Sequence, residues 1–313
     1  QDPNTRKHLN LNYSKGNPGH GHRDKLAVNL IAYGYDLTAD VGYPSTWGHP
    51  KFGGWEIHTA SHNTVMIDEK NEELCAGSLN LFKVFPTLKV VEASGEKAYP
   101  GIQCYRRLCA LIDVSPKDAY ILDIFRVSGG TVHDYTFHAL GGERGENFQI
   151  SLKEGEKAFT KQAKGTLAGE DVEFGTKPGI GFIFDVERAK TDGDFSATWG
   201  VGDPEGTALR LTLLGEKGRE IIIGRGEGNG VMGKSPLSTY ILVRERANGG
   251  SLSSIYAGVI EAYQGKPFIE EVERCRVTSP APQGDALNPV ALTVKTKDRT
   301  DYIISNPHRD RPC

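Results

Sequence analysis

Short apolar runs broken at close intervals by glycine, proline, asparagine and aspartate fill the chain, and no window sustains an apolar period of 3.6 residues. Such a chain must build sheets rather than helices. Enrichment in β-branched and aromatic residues predicts strands over 25–33, 63–68, 88–94, 105–114, 119–127, 135–140, 181–185, 208–214, 220–225, 238–244, 259–262, 271–277, 290–295 and 299–305. The 38 glycines and 16 prolines fall mostly between these runs, in Gly-Gly, Asp-Gly and Asn-Gly-Gly contexts that suit antiparallel hairpins rather than βαβ crossovers. So many strands overfill a flat open sheet. The expectation is therefore an all-β fold, two large antiparallel sheets packed face to face as a β-sandwich, with a smaller β unit at the C-terminus. The glycine-rich stretch 226–236 marks the division, giving a sandwich over 1–230 and a smaller β-rich part over 231–313 that stops before its sheet is complete. The charged stretch 154–176 reads as an exposed excursion between strands, and 307–313 carries no packing pattern.

A hydrophobic fraction of 38% suffices for a sizeable core, while a net charge of −3 argues against a nucleic-acid or polybasic membrane-binding surface. No apolar stretch approaches the length of a membrane span. The opening Gln1-Asp2-Pro3-Asn4 lacks the order of a signal peptide, so the chain reads as a piece of a longer precursor. Five scattered cysteines, without a Cys-x-x-Cys pair, read as buried or idle thiols rather than a disulfide framework.

Chemistry is concentrated near the N-terminus. Five of the nine histidines, His20, His22, His49, His58 and His62, fall in one short window. In extended backbone His20 and His22 point to the same side, and Gly21 between them permits close approach of another chain or a sugar. His22, Asp40 and His62 offer the two imidazoles and one carboxylate that a zinc ion takes when its fourth position stays open. The bland alternative makes His20 and His22 turn residues, Asp40 a former of the Asp-Val-Gly turn, and His62 a partner of a backbone carbonyl. A second metal reading takes His22, Asp24 and His62 as the facial triad of a non-haem iron oxygenase.

Ordered blocks narrow these choices. Gly-His-Gly-His-Arg-Asp-Lys-Leu at 19–26, Ala-Asp-Val-Gly-Tyr-Pro at 39–44, Ser-His-Asn-Thr-Val-Met-Ile-Asp at 61–68, Leu-Asp-Ile-Phe-Arg-Val-Ser-Gly-Gly at 122–130 and His133-Asp134-Tyr135-Thr136-Phe137-His138 follow in sequence. Over roughly its first 140 residues the chain resembles the C-terminal region of heparinase II/III-like polysaccharide lyases and related alginate lyases. The resemblance implies an antiparallel β supersandwich that normally follows an N-terminal α/α toroid, with an acidic polysaccharide such as alginate or a heparan-type glycan bound between them. It implies His20 as an active-site histidine, and His22, Asp40 and His62 as ligands of a structural zinc.

The implied reaction is β-elimination at a uronic acid in the periplasm or outside the cell. A tyrosine and an Asn or His that complete the site would come from the toroid, so this chain alone is expected to lack lyase activity. A catalytically silent glycan-binding or scaffold module is the alternative. Arg23 and Lys25 could meet substrate carboxylates, but alternation puts them on the face opposite His22 and Asp24, which reads at least as well as a solvated face. Tyr43, Trp47 and Trp55 read as sugar-stacking rings or as loop anchors, and His133 and His138 as strand packing.

Overall fold

The computed structural model describes residues 6–15, 20–141, 147–153, 156, 158–229, 236–277 and 285–307. Among them the strands are β1 (His8–Leu11), β2 (Val28–Ala32), β3 (Tyr35–Asp36), β4 (Val65–Ile67), β5 (Ser78–Val84), β6 (Leu88–Ser94), β7 (Cys104–Asp113), β8 (Ala119–Ser128), β9 (Val132–His138) and β10 (Phe148–Leu152). They continue as β11 (Thr160–Lys161), β12 (Phe184–Thr191), β13 (Phe195–Gly200), β14 (Thr207–Leu213), β15 (Arg219–Glu227), β16 (Leu237–Arg246), β17 (Ser253–Gln264), β18 (Ile269–Arg274), β19 (Val290–Thr296) and β20 (Thr300–Ser305). Every strand pairing is antiparallel. The all-β sandwich expected from the sequence is what forms.

An eight-stranded sheet of order β10-β13-β14-β17-β8-β7-β6-β5 faces a six-stranded sheet of order β11-β12-β15-β16-β9-β4. Between them lies the largest core, in which Tyr105, Phe125, Tyr135, Phe137, Trp199 and Tyr256 interlock. The Trp199 indole on β13 donates to the Thr239 carbonyl on β16 (2.9 Å), tying one sheet to the other. A three-stranded sheet, β18-β19-β20, covers the far face of the eight-stranded sheet through Ile269, Val290, Leu292 and Val294. The small β1-β2-β3 sheet adds Leu11, Val28, Leu30 and Ala32 to the main core.

Layering explains the sequence pattern. Nine of the ten residues of β8 are buried, because both faces of that central strand are covered; an alternating pattern survives in β13, which reads buried-intermediate throughout. The outer face of the six-stranded sheet is covered by loops instead of strands. Trp55, Ala60, Leu167, Ile180 and Phe182 pack there on Met66, Ile222, Tyr240 and Leu242.

Several expected boundaries shift. The expected division at 230/231 falls in the connection between the paired strands β15 and β16, and β16 and β17 both belong to the two large sheets; the separate small sheet begins only with β18. The run at 181–185 is a 3-10 turn, Gly179–Phe182, leading into β12. Within 154–176, Thr166 and Leu167 are buried, so that excursion packs against the six-stranded sheet where it is described. Residues 16–19, 230–235 and 308–313, parts of three features marked in the sequence, lie outside the described residues. Cys75, Cys104, Cys109 and Cys275 are free thiols, as expected. Among the described residues no helix is long and apolar enough to cross a membrane.

Candidate metal centre

Three loops deliver the site to one rim of the sandwich. His22 lies in the segment before β2, where the Arg23 amide donates to the Ile57 carbonyl (3.0 Å) and the Arg23 guanidinium to the Glu72 carbonyl (2.8 Å). Asp40 follows β3 and holds its own turn, since its Oδ1 accepts the Gly42 amide at 2.7 Å. Gly42 sits at φ +75°, a conformation that favours glycine. Asn229, beyond β15, donates to the Asp40 carbonyl at 2.6 Å.

His62 follows the 3-10 turn Thr59–Ser61. The next residue fastens that turn to the sandwich: the Asn63 amide donates to the His138 carbonyl (3.1 Å), and its Oδ1 accepts the His138 backbone N–H (2.8 Å). The Asn63 carbonyl in turn accepts from the buried Arg107 guanidinium at 2.6 Å.

The donor atoms of the three residues converge. His22 Nδ1 lies 3.1 Å from Asp40 Oδ2 and 2.9 Å from His62 Nε2, and His62 Nε2 lies 2.9 Å from Asp40 Oδ2. Among the described residues no other group of three or more such side chains converges this closely. The His62 tautomer follows from its other nitrogen. Nδ1 is 2.9 Å from the His58 carbonyl, which can only accept, so Nδ1 carries the hydrogen and Nε2 turns a lone pair toward Asp40. A lone pair facing a carboxylate needs a cation between them, either a proton or a metal. Tetrahedral zinc, with bonds near 2.0–2.2 Å, separates its donors by roughly 3.3 Å, a little wider than this triangle. The nitrogen, nitrogen and oxygen donors therefore fit such an ion, and the carbonyl on Nδ1 is the outer-shell partner that zinc-bound imidazoles usually have.

Electrostatics follow the same geometry. Burial opposes ionisation of Asp40, but the adjacent His62 and His22 overcome it and hold the carboxyl well below the usual range. Burial likewise opposes a charged His62, and the Asp40 charge and hydrogen bond outweigh it, pushing its pKa up to about 9. Behind the site, burial pushes His58 down to about 4. Its Nδ1 accepts the Ala60 amide (3.1 Å), leaving its carbonyl to orient His62.

Several other readings are now resolved. Asp24 accepts from the Asn12 amide at 2.6 Å and is absent from the converging group, which removes the carboxylate required by a facial triad. His20 stands exposed beside the cluster, its ring edge-on to Trp47 with centroids 5.3 Å apart. Lys25 is not solvated: it is 4% exposed and its ammonium donates to the Ser14 carbonyl. Trp55 is a loop anchor, fully buried, its indole donating to the Glu227 carbonyl (2.9 Å).

His133 and His138 are packing residues on β9. The first lies between Ser254 Oγ (2.9 Å) and the Gly129 carbonyl (2.6 Å), and the second stacks on Tyr240.

Sequence reading missed Glu72. This fully enclosed carboxyl accepts the Lys25 amide (2.6 Å) and meets the Tyr105 hydroxyl (2.7 Å). Tyr105 has one hydrogen, yet the Val65 carbonyl also lies 2.6 Å from its oxygen. A proton on Glu72 satisfies both contacts, in agreement with burial pushing its pKa up to about 8. A lone glutamate in a Glu-Glu pair at 72–73 gives no sequence signal for this role.

The family model for the heparinase II/III-like C-terminal region matches residues 11–207, more than half of the chain. The chain belongs to this family. Among solved structures this heparinase II/III-like chain is similar to a mutant of the heparan sulfate lyase HepC from Pedobacter heparinus, at TM-score 0.65 and 15% identity over 95% of this chain and 39% of that one. The unmutated HepC matches at TM-score 0.62 and 14% identity, with the same coverage. A structure of heparinase III matches at TM-score 0.58 and 12% identity, over 97% of this chain and 40% of that one. At these identities the likeness establishes the fold. The heparinase II/III-like chain thus spans about two fifths of the length of these neighbours. No curated protein matches it.

Proposed function

We propose that this heparinase II/III-like chain is the β-sandwich portion of a polysaccharide lyase that cleaves uronic-acid glycans by β-elimination, with zinc held by His22, Asp40 and His62. The observation that carries the reading is the donor triangle, set two residues from the exposed imidazole of His20, inside the segment that defines the family.

In β-elimination the proton at C5 passes to a base and its electron pair moves onto the uronate carboxylate. That pair then returns to form the C4–C5 double bond as the C4–O bond breaks, and the departing oxygen takes up a proton. Negative charge builds on the uronate carboxylate, so a positive or hydrogen-bonding group must face it. His20, exposed at the rim and held by the Tyr43 hydroxyl donating to its carbonyl (2.7 Å), can exchange a proton or donate to that charge. His22, Asp40 and His62 would hold a zinc ion that, when bound, would neutralise Asp40 and tie their three loops together without taking part in the chemistry at the sugar. His22 presents Nδ1 to the site while Tyr43 packs edge-on against its ring at 4.8 Å, so the ligand cluster and the His20 segment share one support. The remaining acid–base groups would come from a helical toroid preceding the sandwich, as in a lyase acting on a large acidic polymer in the periplasm or outside the cell.

Metal analysis of the purified chain tests the site. The wild type and Asp24→Ala should each hold one zinc, and His22→Ala and Asp40→Ala should lose it. Zinc lost from Asp24→Ala but kept by Asp40→Ala would overturn the ligand assignment. The chain alone should generate no ultraviolet absorbance from unsaturated uronate, whereas joined to its toroid it should.

A further inference from the structure

The protein has three tryptophans, and they differ sharply in exposure. Trp55 and Trp199 are fully buried, while Trp47 is 61% exposed. Trp47 lies in the loop between Asp40 and His62 and is braced from behind: Phe52 packs on it with centroids 4.8 Å apart, and Phe52 stacks on Tyr43. The edge-on contact with His20 fixes the indole at the exposed imidazole. Tyr43 closes the arrangement, since it also touches His22 and donates to the His20 carbonyl. An aromatic row thus runs from the donor cluster outward to one solvent-facing indole.

A tryptophan kept in water at this exposure forfeits the burial that its size normally brings. Phe52 and His20 pack against the indole, and most of its surface still faces solvent. A pyranose ring has an apolar face of C–H groups matched to an indole face, and a braced ring loses little freedom when it binds.

We propose that Trp47 is a sugar-stacking platform, a positioning residue that seats one pyranose ring of an acidic glycan beside His20. The inference rests on the glycan-lyase reading and adds to it the subsite on the metal-bearing domain. The platform acts through placement: its ring sets where the sugar lies, and His20 meets that sugar's edge.

Intrinsic fluorescence of the zinc-loaded chain provides the test, because the two buried tryptophans are shielded from ligand. Titration with a heparan sulfate tetrasaccharide and, separately, an alginate tetrasaccharide should give saturable binding with a blue shift of emission for at least one of them. Both variants lack the reporting indole and are compared with wild type by calorimetry: Trp47→Ala should keep its zinc and weaken that affinity roughly tenfold, whereas Trp47→Phe should stay within roughly threefold of wild type. Equal affinity in wild type and Trp47→Ala would overturn the platform and leave the glycan reading standing. Failure of the zinc-loaded wild type to bind either glycan would overturn both.

Discussion

Replacing Asp123 with asparagine should destabilise the sandwich more than any comparably small change at its surface. Arg107 on β7 and Asp123 on β8 are 0% and 1% exposed, and they meet through two bonds, Nε to Oδ1 at 2.7 Å and Nη2 to Oδ2 at 2.6 Å. The remaining guanidinium nitrogen donates to the carbonyls of Leu26 (2.8 Å) and Asn63 (2.6 Å), and Tyr135 donates to Asp123 at 2.8 Å. Asparagine keeps the shape and loses the charge that neutralises the arginine. Leaving one buried charge uncompensated costs about 3–5 kcal/mol, a large share of the roughly 5–15 kcal/mol by which a domain is stable.

Removing both charges, as in Arg107→Met with Asp123→Leu, should cost about 0.5–3 kcal/mol less than the sum of the single replacements, because no isolated charge remains. Urea denaturation followed by far-ultraviolet circular dichroism and by tryptophan emission measures both quantities. A loss below about 1 kcal/mol in Asp123→Asn, or strict additivity in the double variant, would refute the reasoning. Arg107→Met should also weaken zinc, because it releases the carbonyl adjoining His62.

Two further changes probe the supports of the site. Gly179→Ala places a Cβ 2.4 Å from His58 Cε1 at a φ of +68°, so it should cost about 1–3 kcal/mol and lower zinc affinity by displacing the carbonyl that orients His62; an unchanged melting temperature would contradict this. Glu72→Gln should change the pH dependence of stability. The folded pKa near 8 lies above the ordinary 4.5, so the carboxyl's contribution is full below 4.5 and is lost as the pH rises through 8. The amide has no such loss, and the variant should gain on the wild type by a few kcal/mol across that window; a melting-temperature difference that stays flat from about pH 5 to 9 would count against a protonated Glu72.

The central strands were legible because burial writes itself into sequence. Expected segments at 88–94, 105–114, 119–127 and 290–295 match β6, β7, β8 and β19 to within about a residue at each end. Six strands were not anticipated: β1, β3, β5, β10, β11 and β13. Five of these lie at sheet edges, and β13 is next to one. An edge strand pairs on one side and often packs on neither face, as β5 shows with no fully buried residue, so its sequence need not carry an apolar pattern.

Residue type and order in the N-terminal window determined the chemistry on offer: imidazoles in a His-x-His pair, two competing carboxylates at Asp24 and Asp40, and aromatic rings between the ligands. Only the tertiary structure chose among them. Asp24 was drawn to Asn12, Lys25 into the interior and Trp55 under Phe182, while Asp40 was turned toward two histidines by the glycine that follows it. The reason is that a donor cluster is a meeting of loops distant in sequence. Its geometry is set by struts such as Arg107, Asn63 and Glu72, whose partners lie up to 81 residues away, and local sequence carries no record of those distances.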